Sequence, residues 1–146
     1  MPKHNIVLTI RDRHVQDSEE DSSELITTGV FEGTPDDYRI IYDEQDEALK
    51  SCRTTLHVEG NERITMVRTG ESTAEIILEE HKRHNCHYTT PYGSFMLGVY
   101  AKQIASRVLP DEGCGALVFR YTLDFNAANS TENELHILFK KQASEE

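Results

Sequence analysis

Apolar and polar residues alternate with a period of two along most of this chain. Across residues 117–125 the large side chains Leu117, Phe119, Tyr121, Leu123 and Phe125 share one face, and Val118, Arg120, Thr122 and Asp124 share the other. A helix would scatter those apolar residues around its circumference, so the run predicts a long, half-buried strand. The same alternation sets Ile6, Leu8 and Ile10 against Val7, Thr9 and Arg11, and Tyr38, Ile40 and Tyr42 against Arg39, Ile41 and Asp43. Cys52, Thr54, Leu56 and Val58, then Ile64 and Met66, then Leu135, Ile137 and Phe139 continue it, and residues 23–33 and 73–80 are strand-rich in composition. The turn Thr90-Pro91-Tyr92-Gly93 opens onto another apolar run with a second glycine, Gly98.

Turn residues at 33–37, 59–62, 110–113 and 126–130 separate neighbouring strand patterns by short intervals. Short connections join antiparallel strands, because parallel pairs need long crossovers. The pattern predicts one all-β domain over residues 1–146, a meander of about eight to ten strands that suits a barrel or sandwich. Three segments depart from it. Residues 15–24, with the acidic run Asp17-Ser18-Glu19-Glu20-Asp21, predict a mobile acidic loop. Residues 43–50 could hold one short helical turn. Ala101, Ile104, Ala105 and Val108 fall at helical spacing, so residues 101–108 read equally as helix or strand. Residues 141–146 read as a frayed tail.

Charge narrows the partners. With 15 Lys and Arg against 26 Asp and Glu in 146 residues, the net charge is −11. Such a chain repels phosphates at long range and contains no basic run to offset this, which argues against nucleic acid and against an anionic membrane surface. The apolar run 6–10 is too short and too closely flanked by charge for a signal peptide or a membrane span. Cys52, Cys86 and Cys114 are widely spaced and form no CxxC pair, so they read as reduced thiols in a cytoplasmic protein.

Arg68-Thr69-Gly70, followed by Tyr88-Thr89-Thr90-Pro91-Tyr92-Gly93 and then Gly98-Val99, resembles the YwiB-like family of bacterial proteins. The resemblance extends to residues 37–44 and 133–137 and covers the chain from Asn5 to Lys140. It implies a single antiparallel, calycin-like (lipocalin-like) β-barrel and no particular activity, and it tips residues 101–108 towards strand. His81-Lys82-Arg83 stands where the family commonly turns through a glycine, which implies a looser hairpin here.

A barrel of that size is either filled by side chains or holds one small ligand. Arg68 continues the Ile64, Met66 stripe, which aims a guanidinium at the interior or its mouth. A buried charge requires a partner: an internal carboxylate, for which Glu44 and Glu75 are candidates, or an anionic ligand. Tyr42, Tyr88, Tyr92 and Tyr121, with Tyr38, supply rings with hydroxyl handles that suit a ligand pocket or, equally, a packed core; Tyr92, at a turn, could close one barrel end. His81, His84, Cys86 and His87 form one metal-like cluster, but on a strand His84 and Cys86 share a face that His87 does not, so no metal site is expected. No G-x-S-x-G, H-E-x-x-H, P-loop or Rossmann pattern occurs, so neither an enzyme nor a cofactor is indicated. Three readings follow: a binding module with a small, partly apolar ligand held by Arg68 and the tyrosines; a protein-interaction or homodimerising module with a filled core; and an enzyme, which would require titratable groups converging in the barrel.

Overall fold

The computed structural model describes residues 3–43, 52–70, 73–125 and 128–142. Ten strands follow in chain order: β1 (Lys3–Gln16), β2 (Glu19–Thr34), β3 (Asp37–Asp43), β4 (Arg53–Glu59), β5 (Arg63–Thr69), β6 (Thr73–Glu79), β7 (Arg83–Thr90), β8 (Gly93–Leu109), β9 (Cys114–Phe125) and β10 (Ala128–Lys141). Each pairs antiparallel with the next, and β10 pairs back onto β1, so the sheet closes into a barrel. Closure satisfies the backbone groups that an open edge would expose.

The period-two pattern explains the packing. Ile6, Leu8 and Ile10, Tyr38, Ile40 and Tyr42, Leu56 and Val58, and Leu117 and Phe119 all turn inward and are buried. At the end of the barrel carrying the N-terminus and the β2–β3 turn, the Phe31 ring lies 5.5 Å from Tyr38 and 5.2 Å from Phe139. We call this end the base. Burial there pushes the Tyr38 phenol up to about 12.

One sequence expectation is corrected, and residues 101–108 are strand, as the resemblance implies. The acidic segment 15–24 is not a loop but the paired tip of the β1–β2 hairpin, with Gln16 opposite Glu19 across a two-residue turn at Asp17 and Ser18, whose φ values are 50° and 70°. Cross-strand ion pairs between Arg13 and Glu20 and between Arg11 and Glu24, both 2.6 Å, offset the acidic run. The helical spacing at 101–108 is produced by a β-bulge in β8: Ala101 pairs with Tyr121 and Gln103 with Arg120, leaving Lys102 as the extra residue. Ala101 and Ile104 therefore both face inward three positions apart, while Ala105 stays exposed. At the chain's end Lys141 pairs with Ile6, and the Gln142 amide donates to the Asn5 carbonyl at 2.9 Å. The possible turn at 43–50 lies outside the described residues apart from Asp43, as does 143–146 of the expected tail.

The weakest seam runs beside β7. It pairs with β6 only over residues 73–75 and 87–89. Beyond that the Ile77 amide donates to Cys86 Sγ at 3.4 Å, and the β8 amides of Ile104 and Ser106 donate to Glu80 Oε2 (2.9 Å) and Asn61 Oδ1 (3.1 Å). Side chains thus replace missing ladder bonds. On the outer face, Arg83 reaches across β8 to the buried Asp124, with Nη2 3.0 Å from Oδ1. Gly98 lies beneath that guanidinium, where a Cβ would fall 2.1 Å from its nitrogen.

Candidate functional site: the barrel mouth

The inward face changes character at the end opposite the base. Register carries a band around the wall: Tyr42 pairs with Thr54, Thr54 with Arg68, Arg68 with Ala74, and Ala74 with Tyr88. Ala74 is the small, buried residue between Arg68 and Tyr88. Tyr121, two places beyond Phe119 on β9, completes the set from across the barrel. Of the five residues the sequence singles out, Arg68, Tyr42, Tyr88 and Tyr121 therefore belong to the inward band at this end. Tyr92 does not: it sits at the tip of the β7–β8 turn, 95% exposed, and closes nothing.

Two further residues join them that sequence reasoning passed over. Asp12 is the next inward step after Ile6, Leu8 and Ile10 on β1, and extending that alternation by one position would have found it. Thr27, opposite Leu8 on β2, is 6% exposed. Asp12 Oδ1 and Thr27 Oγ1 are both buried, and neither has a hydrogen-bond partner among the described residues, as is also true of the Tyr38 hydroxyl at the base; the His14 Nδ1 atom lies 3.9 Å from Asp12 Oδ1, beyond hydrogen-bonding range.

Electrostatics tie the band together. Desolvation raises the Asp12 carboxyl above the ordinary carboxylate range, with His14 opposing. Burial raises the Tyr121 phenol; the Asp12 carboxylate raises it further, and the Arg68 guanidinium lowers it. The Asp12 and Arg68 charges thus both act on the Tyr121 phenol, which stays a neutral donor and acceptor at physiological pH. Arg68 is itself engaged within the protein. Glu75 is not suited to be its internal carboxylate: it pairs with Val67 and His87 on the exposed outer face, and Glu44 lies outside the described residues. The β7–β8 hairpin adds an apolar lip, with Phe95, opposite Tyr88, 45% exposed.

The histidine cluster is dispersed. His84 Nε2 bonds Glu79 Oε1 at 3.0 Å, Cys86 is buried against the β6 backbone, His87 is exposed, and His81 occupies the β6–β7 turn at φ 63°. Lys82, then His84, hold the Glu79 carboxyl below its ordinary range. Among the described residues no three His, Cys, Asp or Glu side chains converge in a way that could hold a metal ion.

A family model described as "Domain of unknown function (DUF1934)" matches residues 8–137. The crystal structure of the ywiB protein from Bacillus subtilis superposes with a TM-score of 0.84 at 18% identity, covering 97% of this chain and 94% of that one. At that identity the likeness is one of fold. No curated protein matches the sequence. No helix among the described residues is long and apolar enough to cross a membrane.

Proposed function

We propose that this chain, which belongs to the DUF1934 family, is a non-catalytic binding protein that takes a small, partly apolar ligand at the barrel mouth. One observation carries the reading: Asp12 Oδ1 and Thr27 Oγ1 are buried without partners on the same inward face as Arg68, Tyr42, Tyr88 and Tyr121. An unsatisfied buried polar atom costs about 1–3 kcal/mol, so a barrel selected only for stability would carry an apolar residue at Thr27. One ligand hydroxyl or amine would donate to Asp12 and a second to Thr27, which lies four residues away along the β1–β2 ladder. The ligand's acceptor or anionic end would meet Arg68 and Tyr121, and its apolar body would rest on Tyr88 and the Phe95 lip. Three cysteines with no disulfide among them accord with a reducing, cytoplasmic setting.

Native mass spectrometry tests this, on protein purified gently and again after incubation with a small-molecule cell extract. The expected result is a bound mass that is lost on denaturation and weakened in both Arg68→Ala and Asp12→Asn. An apo mass under both conditions in the wild-type protein refutes the proposal.

A further inference from the structure

The outer wall carries an apolar strip that a closed barrel does not need. Along one row of the sheet, Arg107 pairs with Ala116, Ala116 with Leu138, Leu138 with Thr9, and Thr9 with Ile26. Leu138 is 49% exposed and Ile26 64%. Beside this row Leu109 stands exposed at the end of β8. Between Leu109 and Leu138 lies a groove of about 470 Å³. Its floor is the small side chain of Ala116, which faces outward between Arg107 and Leu138.

Charge around the groove is the reverse of the chain's average. Elsewhere on the same wall Arg11 pairs with Glu24, Lys102 with Glu132 and Arg120 with Glu134. Arg107 and Lys140, the cations lining the groove, have no ion-pair partner among the described residues. Leaving two cations unmatched beside exposed apolar surface, in a chain of net charge −11, selects for an acidic occupant. A second copy of the chain fits less well. A two-fold contact would set each groove against itself and bring Arg107 and Lys140 onto like charges, whereas a head-to-tail contact through acidic surface elsewhere would propagate into open chains.

We propose that this groove docks an acidic peptide segment of a partner protein, one large apolar side chain entering over Ala116 between Leu109 and Leu138 while flanking carboxylates pair with Arg107 and Lys140. The net negative charge slows the approach of such a segment, but charges more than about 10 Å apart are largely screened at 0.1 M salt, so the local cations govern the bound state. The mouth and this groove lie on opposite faces of the wall, and the proposal stands independently of the ligand reading.

Fluorescence anisotropy with three labelled synthetic peptides tests it: a central Phe flanked on each side by glutamates, the same with lysines for glutamates, and the glutamate peptide with Ala for Phe. Saturable binding is expected for the first, weakened at least about tenfold in Arg107→Glu and by the Phe-to-Ala change, and unaltered by Thr27→Val at the mouth. Ala116→Trp, which fills the groove without changing charge, should also abolish it. Equal binding of the lysine peptide, retention in Arg107→Glu, or no binding of the acidic peptide at millimolar concentration overturns the proposal. So does a concentration-dependent dimer in sedimentation velocity that Leu138→Glu dissolves, because a second copy would then be the occupant.

Discussion

Replacing Thr27 by valine isolates the feature on which the ligand reading rests. Thr27 is 6% exposed, faces the interior from β2 opposite Leu8, and its hydroxyl oxygen has no hydrogen-bond partner among the described residues. An unmatched buried hydroxyl costs about 1–3 kcal/mol. The methyl that replaces it keeps the branched shape favoured in a strand and adds roughly 0.8 kcal/mol of apolar burial. Allowing for partial relaxation around the existing hydroxyl, Thr27→Val should raise stability by about 1–2 kcal/mol, which for a domain of this size is roughly 3–6 °C in Tm. Urea unfolding followed by far-ultraviolet circular dichroism suits a chain with no tryptophan, and an unchanged slope with a higher midpoint would assign the gain to the folded state. The same variant should bind the mouth ligand more weakly, the exchange of stability for function expected at a binding site. If Thr27→Val instead loses stability, the hydroxyl has a partner in the apo protein, and the observation carrying the proposed function is gone.

Three other perturbations test separate parts of the structure. The Asp12 carboxyl is raised chiefly by desolvation, so the folded state holds its proton more tightly than the unfolded chain; the stability it contributes is present below the ordinary carboxylate value, about pH 4, and is lost as pH rises through the raised folded value. Asp12→Asn should therefore stabilise the barrel at pH 7, with the difference shrinking as pH falls towards 4 in urea midpoints; a gap independent of pH would refute an ionisation origin. His81 turns at φ 63°, a left-handed conformation that costs an L-residue about 1 kcal/mol, so His81→Gly should stabilise by roughly 0.5–1 kcal/mol while His81→Ala should not, as read in thermal melts. Gly98→Ala would push the Arg83 guanidinium off the buried Asp124, lowering the melting temperature in the wild-type background but not in an Arg83→Ala background; additive losses across that cycle would mean that Gly98 is needed for another reason.

Most of the wall was legible because period-two alternation reports the pleat directly. The five-residue stripe beginning at Leu117 and the Tyr38, Ile40, Tyr42 stripe predicted inward faces, and Leu117, Phe119, Tyr38, Ile40 and Tyr42 are packed into the core from those faces. The reading failed where the period itself breaks. At Lys102 one inserted residue shifts the inward parity of β8, and the resulting three-residue step imitates a helix. At 15–24 composition argued for a loop, but cross-strand partners such as Arg13 for Glu20 are visible only once register is known. The mouth was half legible for the same reason: Arg68 announced itself by continuing an apolar stripe with a charge. Thr27 could not, because a threonine in a strand is unremarkable until its hydroxyl is seen to lack a partner.

The barrel's own logic says where to look for function. Closure requires apolar residues inside and tolerates polar ones outside, so positions that invert this rule are unexplained by folding alone. The inversions fall in two places. Inside, buried polar side chains on the inward face include Asp12, Thr27 and Arg68, besides the Tyr38 hydroxyl at the base, which is otherwise filled by the Phe31, Tyr38 and Phe139 rings. Outside, among the described residues, the exposed large apolar side chains divide between the mouth hairpin (Tyr92, Phe95, Met96) and the β8–β9–β10–β1–β2 wall (Leu109, Leu138, Ile26). Strand β1 contributes to both, Asp12 inward and Thr9 outward, yet their chemistry differs: the mouth presents polar groups of both charges, the groove exposed apolar side chains with two cations. A single occupant could satisfy neither by borrowing from the other. Thr27→Val and Arg107→Glu should therefore behave as orthogonal lesions, each weakening one interaction and sparing the other.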